Sequence, residues 1–143
     1  MSHIVTIEAQ MTNPAAVARA CTLLELPEPV HGEHKVFSRN VTGLAVRLPG
    51  WTYPAVVDEA GKLQYDNYNG SWGKQEHVDR FAQYYPLAAA QLAAETAGAR
   101  YSEIQIDADT GDVFMDVEIG RAVSVGVGAG GLDGDSGTSA AVL

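Results

Sequence analysis

The sequence predicts an α+β fold, an antiparallel β-sheet with two helices packed on one face. Apolar and polar residues alternate in short segments bounded by turn residues, as in strands, and apolar residues recur at helical spacing in two longer segments. The elements follow in the order β-α-β-β-β-β-α-β-β, and their short connections favour antiparallel neighbours. At 143 residues the chain has the size of one domain with its own core.

The first strand and the first helix are predicted within residues 2–26. Residues 2–10 are rich in β-branched side chains and alternate in polarity, which favours a strand. Asn13 and Pro14 predict a helix start, because asparagine caps free N–H groups and proline suits the first helical position. The apolar positions that follow at helical spacing are Val17, Ala20, Cys21 and Leu24. We expect this helix to end near Leu26 and the single cysteine, Cys21, to fill the core.

Four strands are predicted in the middle of the chain. Residues 31–34, His-Gly-Glu-His, are interpreted as a loop, and residues 35–39 and 41–48 as a pair of short strands. A second hairpin is predicted from residues 53–57 and 63–65, joined by a turn at Asp58-Glu59-Ala60-Gly61.

The second helix is expected to begin near Lys74 and to end at Gly98, with a kink or a restart at Pro86. Residues 101–107 and 113–119 predict a last hairpin. The composition then changes, so we divide the chain into an α+β domain, 1–119, and a C-terminal tail, 120–143, rich in Gly, Ala, Ser and Val. One added strand through Val123, Val125 and Val127 is considered, and residues 128–143 are expected to be flexible. Truncation at Gly120 is therefore expected to leave the domain folded.

Composition and charge narrow the classes of partner. The formal net charge of −9 disfavours binding to nucleic acid and to anionic membranes. No apolar run approaches the roughly 20 residues that a membrane-spanning helix needs. The first residues lack the pattern of a signal peptide, so a cytoplasmic protein is expected.

The best candidate site is the run of residues 65–73, Tyr-Asp-Asn-Tyr-Asn-Gly-Ser-Trp-Gly. It offers flat rings in Tyr65, Tyr68 and Trp72 and polar groups in Asp66, Asn67 and Asn69, as a ligand platform would. The alternative is structural, since Asn69-Gly70 suits a turn with positive φ and Trp72 suits an anchor on the core.

Other motifs give little support for a metal, a cofactor or catalysis. A zinc site would need further ligands besides His31 and His34, with His3 and His77 more simply interpreted as local hydrogen-bonding groups. Residues 107–118 resemble a calcium loop only in part, and a hairpin turn is favoured because Asp112 occupies the position that requires glycine. The Gly-rich run 126–131 is followed by too few residues for a dinucleotide site. We therefore predict no metal site, no cofactor and no catalytic residue.

The run 65–73 also carries a family resemblance. Together with Met1-Ser2-His3 and with Phe81-Ala82-Gln83-Tyr84-Tyr85, it resembles domain of unknown function 1257, a family that includes a hypothetical open-reading-frame protein of algal chloroplasts and cyanobacteria. The resemblance covers about the first 119 residues. It implies a fold but no reaction, and through gene association it implies an AAA-type ATPase as partner.

Two functions follow as hypotheses. The first is a protein-interaction, adaptor or assembly module without catalytic activity, in which the run 65–73 and the tail contact a protein. The alternative is a small-molecule-binding domain or enzyme with its pocket at residues 65–72, where Asp66, His77 and Tyr85 supply polar contacts. A component of a viral or multimeric assembly also stays open, as does the oligomeric state.

Overall fold

The computed structural model describes residues 5–7, 10–36, 38–68, 70–118, 122–128 and 138–139. Within them the helices are α1 (Pro14–Leu23) and α2 (Gln75–Ala97). The strands are β1 (Val5–Ile7), β2 (Val30–Val36), β3 (Arg39–Val46), β4 (Ala55–Asp58), β5 (Leu63–Tyr65), β6 (Arg100–Tyr101), β7 (Gln105–Ile106), β8 (Val113–Glu118), β9 (Ala122–Val127) and β10 (Thr138–Ser139). The predicted α+β class is confirmed.

The strands form two antiparallel sheets where one was expected. The first sheet has the order β1-β5-β4-β3-β2, and the second has the order β10-β9-β8-β6 with β7 also paired to β8. Helix α1 packs on α2, and α2 packs on β8 and β9. One face of the first sheet, both helices and the second sheet share the main core, whose largest fully buried side chains include Phe81, Met11, Leu63, Leu87 and Met115.

Local signals place both helices close to their predicted limits. The Asn13 side chain accepts hydrogen bonds from the N–H groups of Ala15 and Ala16, at 3.0 and 3.4 Å, directly before Pro14. Helix α1 ends at Leu23, three residues before the predicted end, and Glu25 follows with a φ of 58°. Cys21 is buried as predicted, and its burial raises the thiol pKa to about 11.

Helix α2 continues without a restart through Pro86. It begins one residue after Lys74 and ends at Ala97, where the left-handed backbone of the next residue, Gly98, with a φ of 72°, closes the last turn. A proline inside a helix removes one backbone hydrogen bond. The expected restart is nevertheless wrong, because the buried neighbours Tyr85 and Leu87 hold both sides of Pro86 in the core.

The predicted loop at residues 31–34 is also wrong, since these residues lie inside β2. Gly32 lies opposite Gly43 in the register of β2 with β3. Cross-strand pairing with β3 therefore outweighs the local preference of these residues for a loop. The two glycines allow the hairpin to bend at this point.

Beyond this glycine pair the hairpin folds over the first sheet, on the face opposite the main core. Ala45 of β3 pairs with Val56 of β4, and Val56 pairs with Gln64 of β5. In a flat sheet Arg39 would lie about 20 Å along β3 from Ala45, and therefore far from Gln64. Instead, the Arg39 guanidinium donates a 2.8 Å hydrogen bond to Gln64 Oε1. Val36 and Val41 of the distal hairpin form a buried cluster with Ala45 and Val56. The hairpin thus supplies its own second core.

The last predicted hairpin is present, but its first strand is divided. Asp107 Oδ1 accepts hydrogen bonds from the N–H groups of Asp109 and Thr110, and this turn joins β7 to β8. The turn confirms the hairpin interpretation of the calcium-like sequence. Ser102 separates β6 from β7, because its N–H and its hydroxyl both bond the backbone of Asp116.

The added strand considered for the tail is present as β9. Val125 and Val127 are buried in the main core. The amide of Gln83 on α2 donates hydrogen bonds to the carbonyls of Gly111, at 3.0 Å, and Gly128, at 2.8 Å. The same core therefore extends past residue 119, which reverses the expectation that truncation at Gly120 is harmless. The flexibility predicted for residues 128–143 is wrong at Thr138–Ser139, which form β10 and pair with β9. Residues 129–137 and 140–143 lie outside the described residues.

In the described chain neither helix combines the length and the apolar character that crossing a membrane requires.

Candidate functional site

We call residues 65–73 the aromatic turn; it connects β5 to α2. Tyr65, Asp66 and Asn67 are buried, whereas the Tyr68 side chain is 38% exposed. Asn69 lies outside the described residues. The turn therefore has an inner part that joins the core and an outer part that presents side chains to solvent.

The outer part holds three rings in contact, Tyr53, Tyr68 and Trp72, which we call the ring cluster. The rings of Tyr68 and Trp72 are stacked, with centroids 4.8 Å apart and planes inclined by 23°. Tyr53, from the segment before β4, meets Trp72 edge to face at 5.3 Å. Each such aromatic pair contributes about 0.5–1.5 kcal/mol of stabilisation in addition to that from its buried area. Sequence reasoning missed Tyr53, because its contact with the turn spans two segments.

Three hydrogen bonds of backbone groups support the turn that carries the ring cluster. The N–H of Tyr68 donates to Asp66 Oδ1 at 3.0 Å, and the N–H of Trp72 donates to the Asn67 carbonyl at 2.9 Å. The Trp72 carbonyl accepts from Thr52 N–H at 2.8 Å. Gly70 has the positive φ that the sequence predicted, 94°, and Tyr68 adopts a φ of 49°. A positive φ is uncommon for a non-glycine residue and indicates local strain.

The inner part of the turn is packed against Trp51. A Cβ atom at Gly73 would lie 2.3 Å from the Trp51 ring, so only glycine allows this contact. Trp51 meets Tyr65 edge to face at 5.6 Å, and its indole N–H donates to the Lys74 carbonyl at 3.2 Å. The sequence indicated a structural anchor in the turn, and Trp51 supplies one from a different segment.

Gln75, at the start of α2, joins the turn to the helix. Its amide N–H groups donate to the Tyr65 hydroxyl at 2.9 Å and to Asp79 Oδ1 at 3.0 Å. Its Oε1 accepts from the Asn67 side chain at 3.1 Å. Three polar side chains are thereby fixed on one residue that sequence reasoning did not single out, since an exposed glutamine has no pattern of its own.

Among the described residues of the turn, Asp66 has a buried side-chain oxygen without a hydrogen-bond partner. Its side chain is only 2% exposed, and Oδ1 accepts the hydrogen bond from Tyr68 described above. Oδ2 is buried and accepts no hydrogen bond in the part of the chain that the structure describes. Burying a polar atom without a partner is unfavourable, so the turn retains one acceptor that lacks a donor.

Two predicted site residues lie in other surroundings. The Tyr85 hydroxyl accepts a 3.1 Å hydrogen bond from Asn13 N–H at the start of α1. His77 is half-buried and lines a depression of about 60 Å³ together with Leu24, Leu26, Leu48, Pro49 and Arg80. The structure thus brings together Tyr65, Asp66, Asn67, Tyr68 and Trp72, whereas the depression at His77 is lined by none of them.

The histidines of β2 are separated by the sheet itself. His31 and His34 are three positions apart in one strand, so their side chains leave opposite faces. His34 Nε2 lies 2.8 Å from the Val30 carbonyl. Among the described residues no three His, Cys, Asp or Glu side chains are grouped as metal ligands. His3 lies outside these residues.

A second polar cluster joins the two helices to β6. The Arg19 guanidinium donates to both carboxylate oxygens of Glu95, at 2.9 and 3.0 Å, and the Tyr101 hydroxyl donates to Glu95 as well. The hydrogen bonds from Arg19 and then Tyr101 lower the pKa of Glu95 to about 2, while the bond to Glu95 raises the pKa of Tyr101.

This cluster predicts a pH-dependent contribution to stability. Because the folded state lowers the pKa of Glu95 from 4.5 to about 2, the ionised carboxylate stabilises the fold above pH 4.5, and this contribution disappears as the pH falls toward 2. We expect Glu95→Gln to lower the melting temperature at pH 7 by a small amount, since the pair is exposed, and to have no effect near pH 2. Melting curves from pH 2 to 7 test this, with the exposed Glu28→Gln as control. A difference that stays constant with pH would contradict it.

Comparison with protein-family models, with curated proteins and with solved structures finds no match to this chain. The resemblance to domain of unknown function 1257 therefore stays a prediction.

Proposed function

We propose that this chain is a protein-interaction module without catalytic activity, which contacts its partner through the ring cluster. The observation that carries the proposal is the stacking of Tyr68 on Trp72 at the surface, in a turn whose backbone is held by hydrogen bonds. Tyrosine and tryptophan are enriched among the residues that dominate binding energy at protein interfaces.

The rigidity of the turn supports this function. Binding costs free energy when side chains and loops must be ordered, and a turn that is ordered beforehand avoids much of that cost. The turn is fixed at Asp66, Asn67 and Trp72 by the bonds described above, and Tyr68 keeps a left-handed backbone. Strain of this kind is concentrated at binding and active sites.

The net charge of the chain narrows the class of partner. With a net charge of −9, a basic protein surface is favoured over nucleic acid or an anionic membrane. From the family resemblance we propose an AAA-type ATPase as the partner, and an adaptor or assembly role in the cytoplasm. No step of catalysis is required of the residues in the turn.

A pull-down from native lysate tests the function. We expect the wild-type chain to capture a partner that is lost with Tyr68→Ala and with Trp72→Ala. Ile106→Ala is the matched control, because Ile106 is 50% exposed on β7 and lies outside the turn. Trp72 is only partly buried, so Trp72→Ala is expected to cost about 2 kcal/mol and to stay folded, which circular dichroism verifies. A partner retained by both ring variants, or lost equally with Ile106→Ala, would contradict the proposal.

A further inference from the structure

A depression of about 320 Å³ opens beside the polar cluster that joins the two helices to β6. It is lined by side chains of α1, of α2 and of residues 101–104. Its volume lies in the range of small-molecule pockets. None of the described residues of the aromatic turn lines it, so a ligand held here binds apart from the ring cluster.

Gln91 on α2 presents an unpaired donor to this depression. Its side chain is only 4% exposed, and its Oε1 accepts a 3.0 Å hydrogen bond from the Arg19 guanidinium. Because a guanidinium can only donate, this bond fixes which end of the amide is oxygen and leaves Nε2 as the other end. In the part of the chain that the structure describes, Nε2 donates to no group. It is not among the fully enclosed polar atoms without a partner, so it opens on the depression that Gln91 lines.

The neighbouring polar groups are engaged within the protein. Arg19 makes three hydrogen bonds to Gln91 and Glu95, and the Tyr101 hydroxyl donates to Glu95. The Ser102 hydroxyl takes part in two hydrogen bonds with backbone groups. The Gln91 amide is therefore the buried polar group that is available to a ligand.

The charges at the depression favour a neutral ligand. The Glu95 carboxylate lies 2.9 Å from the Arg19 guanidinium and offsets its charge. Glu103, exposed on the lining, adds a negative charge that repels an anion. The remaining lining is apolar and half-buried, from Leu23, Ile104 and the ring of Tyr101.

We propose that this depression binds a neutral small molecule that carries a carbonyl group on an apolar body. The carbonyl oxygen accepts a hydrogen bond from Gln91 Nε2, and the apolar body lies against Leu23, Ile104 and Tyr101. A donor that is held in place by its other end, as Gln91 is held by Arg19, orients such a ligand at little cost in ordering. The site goes beyond the proposed interaction function and does not depend on it.

NMR titration with three small aromatic probes tests the inference. Acetophenone carries a neutral carbonyl acceptor, benzoate a charged acceptor, and benzylamine no acceptor. We follow the side-chain NH2 signals of Gln91, with the Trp72 indole signal as the reference for binding at the ring cluster. We expect acetophenone to shift the Gln91 signals with a Kd on the order of 1–10 mM, as suits a ligand of this size. Benzoate is expected to bind at least about threefold more weakly, and benzylamine not to shift these signals.

Three outcomes of the titration would overturn the inference. They are an absence of Gln91 shifts with acetophenone up to about 20 mM, equal shifts with all three probes, and acetophenone shifts that are confined to Trp72.

Gln91→Glu replaces the proposed donor by an acceptor of the same shape. Its carboxylate still accepts from Arg19, so the variant is expected to fold, which circular dichroism verifies. Acetophenone is expected to bind at least about tenfold more weakly, as read from the backbone amide signals of residues 101–104. Gln91→Leu removes the donor without adding a charge and is expected to give the same loss.

The matched control is Thr96→Ala on the same helix. Thr96 is exposed, and its hydroxyl bonds the Leu92 carbonyl within α2. Its acetophenone Kd is expected to equal that of the wild type. Equal Kd values for this control and for both Gln91 variants would assign the binding to the apolar lining alone and refute the role of the amide.

The two proposals fail in different ways. Tyr68→Ala is expected to bind acetophenone as the wild type does, and Gln91→Leu is expected to capture the same partner in the pull-down. Loss of acetophenone binding in Tyr68→Ala would contradict the separate site, whereas loss of the partner in Gln91→Leu would contradict the ring cluster as the contact surface.

Discussion

A chain that ends at Glu118 is expected to lose its cooperative unfolding transition. Strand β9 pairs with β8 along its whole length, from Val127 opposite Val113 to Ala122 opposite Glu118. Removing it deletes the buried side chains Val125 and Val127, each of which contributes about 1.5–3 kcal/mol by burial. It also uncovers part of α2, which packs on β9. The sum approaches the whole stability of a typical domain, about 5–15 kcal/mol.

Gln83 makes this truncation more harmful. Its buried amide donates to the carbonyl of Gly111, just before β8, and to the carbonyl of Gly128, just after β9, and the second of these is removed with β9. The truncation therefore removes one hydrogen bond of the Gln83 amide, whose net contribution to stability is about 0.5–1.5 kcal/mol.

Urea unfolding followed by circular dichroism measures the effect. The matched control is a chain that ends at Gly128, which keeps β9 and the Gln83 contacts and is expected to unfold cooperatively. If the free energy of unfolding of the chain ending at Glu118 lies within about 1 kcal/mol of the control's, the pairing and burial assigned to β9 are wrong.

Gly43→Ala is expected to lower the free energy of unfolding by about 3 kcal/mol. A Cβ atom at this position would lie 2.0 Å from the Val57 carbonyl oxygen and 2.8 Å from the Asp58 Cα. Both are backbone atoms of β4, so no side-chain rotation relieves the overlap, and β3 must move away from β4. The same residue lies opposite Gly32 at the bend of the hairpin, so the shift also disturbs the small core at Val36 and Val41.

The control for this substitution is Thr42→Ala. Thr42 is the exposed neighbour of Gly43, and its replacement is expected to change the free energy of unfolding by no more than about 0.5 kcal/mol. Chemical denaturation of both variants gives the comparison. Equal stability of Gly43→Ala and Thr42→Ala would show that β3 and β4 do not pair in this register.

Helix limits and turns were predictable because their signals are local. Asn13 and Pro14 define the start of α1, and Gly98 defines the end of α2, through hydrogen bonds and backbone angles within a few residues. The turn before β8 was predictable for the same reason, since Asp107 bonds the N–H groups two and three residues later.

Features that depend on distant partners were not predictable. The strand at residues 31–34 needs β3 as its partner, and helix α2 continues through Pro86 because of buried packing at its neighbours. Gln75 and Gln83 are ordinary helical glutamines by sequence, although their amides bind groups up to 45 residues away.

The aromatic turn shows both cases in one site. Its place, its glycine turn and its rings were evident from residues 65–73, because composition and backbone preference are carried by each residue. The contacts of Tyr53 and Trp51 with the turn, and the open acceptor on Asp66, depend on which segments meet in the folded chain. Contact and burial arise between segments far apart in sequence, so folding alone turned a pattern of residue types into a surface with a defined chemistry.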